Sequence, residues 1–172
     1  MTGKIKACTP ADVAQLQTVC RQTFTATFGA DNTAADLAAY LDTAYNQPQL
    51  LAEMRQPTTT YDLMWVDGQV AGYLKLNWGP TQSEQRGDAA LEIERIYILP
   101  AFKRQGLGRQ FYQHAVDQAQ SLGLTSIWLG VWEHNPAAQR FYQAMGFQQV
   151  GDHVFQLGSD RQRDLILAKT LV

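Results

Sequence analysis

Residues 91–109 read LEIERIYILPAFKRQGLGR, and they pass from the end of a strand to the start of a helix. LEIERIYIL is rich in β-branched and aromatic residues, which fit a pleated surface, and Pro100 ends it because proline cannot donate to a ladder. GLGRQFYQHAVDQAQSLG then sets Phe111, Ala115, Val116 and Ala119 at helical spacing and stops at Gly123. At the junction lies KRQGLGR, residues 103–109. A helix N-terminus leaves about four N–H groups without intrahelical partners and carries roughly half a positive charge. Glycine lets a ligand approach that backbone closely. The loop is therefore either a turn with a solvated basic rim or an anion site. In the second case a pyrophosphate would lie across Gln105, Gly106, Leu107, Gly108 and Arg109, with Lys103, Arg104 and Arg109 adding charge. Two phosphate motifs are excluded. GxxxxGK[ST] is absent, and the third glycine of a dinucleotide fingerprint would fall at 111, where Phe111 stands.

Upstream, KIKAC (4–8) alternates like a strand. TPADVAQLQTVCRQTF (9–24) begins a helix, with Thr9 as cap, Pro10 in the first turn and Asp12 at the favourable end of the dipole. TAADLAAYLDTAY (33–45) predicts a second helix, and QPQLLAEMRQ (47–56) a third, shorter one. TYDLMWV and QVAGYLKLNW are two strands joined by Asp67–Gly68, the dipeptide of a tight hairpin. GPTQSEQRGD (79–88) is a polar loop. Downstream, SIWLGVW (126–132) is a buried strand. NPAAQRFYQAMG (135–146) is a helix capped by Asn135 and ended by Gly146. FQQVGDHVFQ and RDLILAKTLV close the chain as strands. The order β-αα(α)-βββ-α-β-α-ββ predicts one mixed α/β (α+β) domain over residues 1–172, built around a single mixed sheet.

Length and composition agree. The 172 residues suit one domain with a real core, and 45% hydrophobic content is ordinary for a globular protein. A net charge of −2 gives no basic field for nucleic acid. The two cysteines, Cys8 and Cys20, form no CxxC pair, and no metal site is expected. MTGKIKACTP has no apolar core or cleavage site of a secretory signal, and no run approaches the about 18 apolar residues of a membrane span. A cytoplasmic protein is expected.

KRQGLG after IYILP, followed about thirty residues later by NPAAQRFYQAMGF, resembles the GNAT family of acyl-CoA-dependent N-acetyltransferases. The family's first motif is [QR]xxGx[GA]. Lys103 stands at its Gln/Arg position, a departure that falls lightly on a loop working through backbone N–H groups. The second motif is matched by Asn135, Ala138, Phe141, Tyr142, Gly146 and Phe147. The element order extends the resemblance over nearly the whole chain.

The resemblance implies direct transfer of an acetyl group from acetyl-CoA to a primary amine, with a homodimer as the assembly common in the family. It implies that the fourth strand splays from the fifth. The pantetheine arm would insert there beside Ile96, Tyr97 and Ile98, chiefly through the backbone of Ile96 and Ile98, one of whose N–H groups would polarise the thioester carbonyl. Asn135 would touch the same arm. Tyr142 would be the general acid for the leaving thiolate, since a phenol with an ordinary pKa of about 10 stays protonated at neutral pH. Glu92 and Glu94 lie two apart on a strand and share a face. Either could be a base, an attractor of a cationic substrate, or an ion-pair partner of Arg95 or Lys75; some family members place a base at the position of Glu92, often acting through water. No role is assigned to His114, His134 or His153. Cys8 and Cys20 lack the histidine and acid that a covalent route requires.

By the same resemblance, the acceptor site is built from the helices after the first strand and from the loop between the third and fourth strands. Phe24, Phe28, Tyr40 and Trp78 could line an apolar slot beside Glu92, with Asp31, Asp36, Asp42 and Glu84 favouring an amine. TFTATFG and DLAAYLDTAY are similar to a segment of bacterial polyamine acetyltransferases, so a small amine or polyamine is the favoured acceptor. The alternatives are a protein N-terminus or lysine, which would need an open groove, and a non-catalytic acyl-CoA-binding regulatory domain.

Overall fold

The computed structural model describes residues 2–171. Strand β1 spans Lys4–Ala7, followed by helices α1 (Val13–Phe28), α2 (Ala34–Ala44) and α3 (Gln47–Met54). Strands β2 (Thr59–Val66), β3 (Gln69–Trp78) and β4 (Ala90–Ile98) come next, then α4 (Leu107–Ser121), β5 (Ser126–Trp132), α5 (Pro136–Ala144), β6 (Gln148–Leu157) and β7 (Asp160–Thr170). The order is the one the sequence predicts, with the third helix formed.

Local chemistry explains the element ends. The Asp12 carboxylate accepts from the Thr9 N–H at 2.8 Å and fixes the entry to α1 through a 3-10 turn at Pro10–Asp12. Thr33 caps α2 by accepting from the Asp36 N–H at 3.1 Å, and Asn46 caps α3 by accepting from the Gln49 N–H at 2.8 Å. Asp67 and Gly68 take positive φ, 48° and 78°, as the β2–β3 hairpin turn requires.

The seven strands form one sheet in the order β1-β2-β3-β4-β5-β7-β6. Only β4 and β5 run parallel; the other neighbours are antiparallel. That pair is short. It holds from Ala90↔Ser126 to Glu92↔Trp128, after which the two strands part. One face of the sheet buries Leu74, Leu76, Leu91 and Ile93 against Phe111 and Ala115 of α4 and Tyr142 of α5. The other buries Tyr61, Leu63 and Tyr73 against Leu16, Phe24 and Phe28 of α1 and Leu41 of α2. The β6–β7 hairpin reaches this second layer. Leu157 at its tip is fully buried there, and Ser159 donates from its N–H at 3.4 Å and from its hydroxyl at 2.9 Å to the Asp36 carboxylate on α2. Among the described residues no helix is long and apolar enough to cross a membrane.

Candidate active site

The parting of β4 and β5 opens a cavity of about 80 Å³ lined by Ile93–Tyr97 of β4, Leu129–Trp132 of β5, Thr27 and Phe28 of α1, Asn135, and Ala138 and Tyr142 of α5. A strand edge without a neighbour leaves ladder N–H and C=O groups available to a ligand. Trp132 lines this cavity, and its indole N–H is buried without a hydrogen-bond partner, so it too is free to donate. Ile98 lies one residue beyond the lining and packs on the α4 side. Asn135 caps α5, its Oδ1 accepting from the Ala138 N–H at 3.2 Å. Tyr142 is buried, and burial, with a smaller contribution from Tyr97, pushes its phenol well above the ordinary value. It therefore stays a proton donor at any physiological pH.

KRQGLGR sits at the mouth of this split. α4 begins at Leu107 with Gly106 as its N-cap, in the left-handed region at φ 81°. A side chain at 106 would be strained there, so glycine is required by the turn. The first α-helical bond runs from Gln110 N to Gly106 O at 3.2 Å, which leaves the amides of Leu107, Gly108 and Arg109 without intrahelical acceptors. No acidic side chain occupies the first turn. A Cβ on Gly108 would lie 3.5 Å from the Phe141 ring, so the loop adjoins α5 and with it the split. Arg104, Lys103 and Arg109 are exposed, while Leu107 is core and Gln105 turns its amide back to Ala101 O at 3.4 Å. The two latter residues offer backbone only. A phosphate-bearing donor with an extended arm fits these features: free amides and cations at the mouth, an unpaired strand edge inside.

On the opposite face of β4 lies a cleft of about 370 Å³. Phe24, Phe28 and Tyr40 line it as expected, with Tyr40 stacked on Phe24 at 4.4 Å between centroids and Phe28 against Trp132 at 5.3 Å. Tyr45, Tyr97, Trp128 and Trp132 complete the aromatic wall. Trp78 is a correction. It packs into the α4-side core, because Lys75 and Asn77 take the cleft side of β3 and strict alternation sends Trp78 to the other. Asp31, Asp36 and Asp42 are a second correction. None lines the cleft; Asp36 is committed to Ser159, and Asp42 pairs with Arg21 on the surface at 3.3 Å. Glu84 does line it.

Glu92 and Glu94 share the cleft face, as their spacing predicts, but their environments differ. Glu92 is only 2% exposed. Its Oε1 accepts from Asn77 Nδ2 at 3.0 Å and from the Ser83 N–H at 2.8 Å, and its Oε2 accepts from the Ser83 hydroxyl. Burial raises its pKa, and those three hydrogen bonds oppose the rise without cancelling it. Glu94 accepts from Asn77 Nδ2 at 3.1 Å and forms an ion pair with Lys75, whose ammonium also meets Glu53 at 2.7 Å. Burial works to raise Glu94, but the Arg95 and Lys75 charges outweigh it and hold the carboxyl below its usual value. Glu94 is thus a fixed anion, and Glu92 the carboxylate better suited to take a proton. Asn77 joins them, with its Oδ1 held by the Thr59 hydroxyl at 2.9 Å.

A β-bulge lies under this arrangement. Lys75 pairs with Arg95 and Leu76 with Ile93, so Glu94 is the extra residue. Glu94 and Arg95 therefore both reach the cleft, and Tyr97 follows, while Ile96 and Ile98 turn back to the α4 side. Arg95 lies over the Tyr45 ring at 4.8 Å and donates to the Tyr61 hydroxyl at 3.3 Å. Across the cleft, His153 of β6 meets Glu84 at 2.6 Å through Nδ1 and Asp164 of β7 at 3.4 Å through Nε2. Gly130 keeps this part of β5 open, since a Cβ there would lie 3.5 Å from both Asp164 Oδ2 and His153 Cε1. Sequence reasoning missed Asn77, Ser83, Arg95, Tyr45, Trp128, Trp132, His153 and Asp164. Arg95, Trp128, Trp132 and Asp164, inside recognised strands, carried a signal: charges and large indoles where a plain buried strand needs neither.

A sheet split beside a helix N-terminus, adjoining a carboxylate-bearing cleft, is a layout that suits a group-transfer enzyme. Comparison with known proteins makes the class specific. Residues 20–147 match the family described as "Acetyltransferase (GNAT) family". The chain is 41% identical over 173 residues, covering 100% of both proteins, to "Uncharacterized N-acetyltransferase in pepI 3'region" of Lactobacillus delbrueckii subsp. lactis. Over 55 residues, 32% of this chain and 37% of the relative, it is 37% identical to the [ribosomal protein bS18]-alanine N-acetyltransferase of Escherichia coli. Its fold matches that of the PaiA N-acetyltransferase of Thermoplasma acidophilum, solved in complex with coenzyme A, with a TM-score of 0.81, 19% identity and 99% of each chain covered. The chain belongs to the acetyltransferase (GNAT) family. It is an N-acetyltransferase, which sets aside the reading as a non-catalytic regulatory domain.

Proposed function

We propose that the protein transfers the acetyl group of acetyl-CoA to the primary amine of a small cationic acceptor, with a linear diamine or polyamine as the class that fits best. Acetyl-CoA supplies the activated acyl group. The amides of residues 107–109 with Lys103, Arg104 and Arg109 would bind its pyrophosphate, and the open edge of β4 with Asn135 its arm. Tyr142 would donate a proton to the departing thiolate, Glu92 would take one from the ammonium, and Glu94 would hold positive charge nearby.

The observation that supports the acceptor class is the acidic and aromatic lining of the cleft. The β6–β7 hairpin, which brings His153 and Asp164 to the cleft, is fastened to α2 through Leu157 and the Ser159–Asp36 hydrogen bonds. Glu84, Glu92, Glu94 and Asp164 line the cleft together with aromatic rings. Several carboxylates beside aromatic rings suit a small acceptor that carries more than one ammonium. The 55-residue likeness to the bS18-alanine enzyme favours a second reading, a protein N-terminal amine.

Thiol release from acetyl-CoA, measured with 1,4-diaminobutane, spermidine, a monoamine of equal length and a hexapeptide beginning with alanine, separates the two. Turnover of the diamines well above that of the peptide is expected. Turnover of the peptide with none of the diamines would overturn the acceptor class.

A further inference from the structure

We propose that the Ser83 hydroxyl is a catalytic proton relay between the acceptor amine and Glu92. The inference rests on the reading of Glu92 as the base and extends it.

Glu92 is nearly sealed from solvent, and both its oxygens already accept hydrogen bonds. Ser83 lies above it, exposed, in the cleft lining. Its N–H donates to Oε1 at 2.8 Å and its hydroxyl to Oε2. Of the groups that touch the Glu92 carboxylate, Asn77 is buried and joined to Thr59 and Glu94, which leaves the Ser83 hydroxyl as the one that also faces the cleft. A hydroxyl has one donor and two acceptor positions, so it can accept from an ammonium while donating to the carboxylate.

Its placement is fixed from both flanks. The preceding residue, Gln82, accepts from Trp128 Nε1 of β5 at 2.8 Å and donates to Gly79 O and Gly87 O at 3.1 and 3.2 Å. The following residue, Glu84, is held by His153 of β6 at 2.6 Å and by Arg86 at 3.2 Å. The loop between β3 and β4 is thereby tied to two other strands, with Ser83 between the ties.

The step balances. An N–H bond of the ammonium breaks and its proton passes to Ser83 Oγ. The Ser83 O–H bond breaks in concert and its proton passes to Glu92 Oε2. A neutral amine, an intact serine and a neutral carboxylic acid result, with no charge ever resting on the serine. The free amine then attacks the thioester carbonyl. Glu94, pinned as an anion by Lys75, does not compete for the proton.

The test measures kcat/KM for the fastest amine of the panel, together with acetyl-CoA affinity, in Ser83→Ala, Ser83→Thr, Glu92→Gln and Ser83→Ala/Glu92→Gln. Ser83→Ala keeps the backbone bond to Oε1. It is expected to lose about 10²-fold in kcat/KM, the scale of general-base catalysis, with acetyl-CoA affinity unchanged. Ser83→Thr should recover most of the loss, and the double variant should be no slower than Glu92→Gln alone. Full activity in Ser83→Ala beside an impaired Glu92→Gln would overturn the relay and leave the base standing. So would Ser83→Thr as slow as Ser83→Ala, or losses that multiply in the double variant. Full activity in Glu92→Gln would overturn the base, and the relay with it.

Discussion

Asn77→Leu keeps the volume of a buried side chain and removes every polar contact it makes. Asn77 accepts from Thr59 at 2.9 Å and donates to Glu92 and Glu94 at 3.0 and 3.1 Å. A hydrogen bond to a charged group contributes about 1.5–3 kcal/mol and a neutral one about 0.5–1.5 kcal/mol. Glu92 keeps Ser83 and Glu94 keeps Lys75, so neither carboxylate is left bare. The expected loss is therefore in the lower part of the combined range, about 3.5–5 kcal/mol, a large share of the ~5–15 kcal/mol by which domains are stable. For a domain of this size that lowers Tm by roughly 7–20 °C. Urea unfolding at pH 7 reads the energy, and an unchanged m-value shows that the native state stays compact. The catalytic consequence has a definite sign. Removing a donor to the charged form of Glu92 raises its pKa further, so the acid limb of kcat/KM moves to higher pH. A loss below about 1 kcal/mol with an unmoved acid limb would refute the coupling of the two carboxylates through Asn77.

Three further outcomes are expected. Tyr142→Phe should lower kcat by about 10²-fold or more while acetyl-CoA affinity holds, and an unchanged kcat would remove Tyr142 as the acid. Gly108→Asp fits beside Phe141 without a clash yet sets an anion among the free amides of α4, so acetyl-CoA affinity should fall at least about tenfold by titration calorimetry; unchanged affinity would displace the phosphate from this loop. His114, 3.4 Å from the Asp62 carboxylate, has its pKa raised above the ordinary 6.5, chiefly by the hydrogen bond to Asp62 and against the effect of burial. The protonated pair stabilises the fold fully below pH 6.5, and that stabilisation disappears as pH rises through the folded value. The Tm gap between the parent and His114→Gln should therefore close on going from mildly acidic to alkaline buffer, and a pH-independent gap would contradict it.

The fold was legible because each element carries its own signals. Thr9 with Asp12, Asp67 with Gly68, and Asn135 with Gly146 mark ends that the structure places within a residue or two of their expected positions. The loop before α4 was legible for the same reason: glycine and a helix start announce where its backbone groups lie. The cleft face of β4 was not. Period-two reading paired Glu92 with Glu94 correctly, but nothing in EIERIY reveals that a bulge turns Arg95 and Tyr97 to the same side. Trp78 was misplaced by one residue of alternation, while its neighbour Asn77 does the joining. Glu84 and His153 lie far apart in sequence and meet because the β3–β4 loop folds against β5 and β6, while Asp164 faces His153 across the β6–β7 hairpin. Such contacts belong to tertiary structure, and residue type alone does not encode them.

In this assignment the split between β4 and β5 takes the donor and the cleft beside it takes the amine. A crystal structure with acetyl-CoA bound decides the matter. The pyrophosphate is expected on the amides of residues 107–109, the arm along the open edge of β4, and the thioester sulfur within hydrogen-bonding reach of the Tyr142 hydroxyl, with the Glu92 carboxylate left free. Coenzyme bound in the Glu92 cleft, or β4 and β5 closed onto each other beyond Glu92↔Trp128, would contradict it.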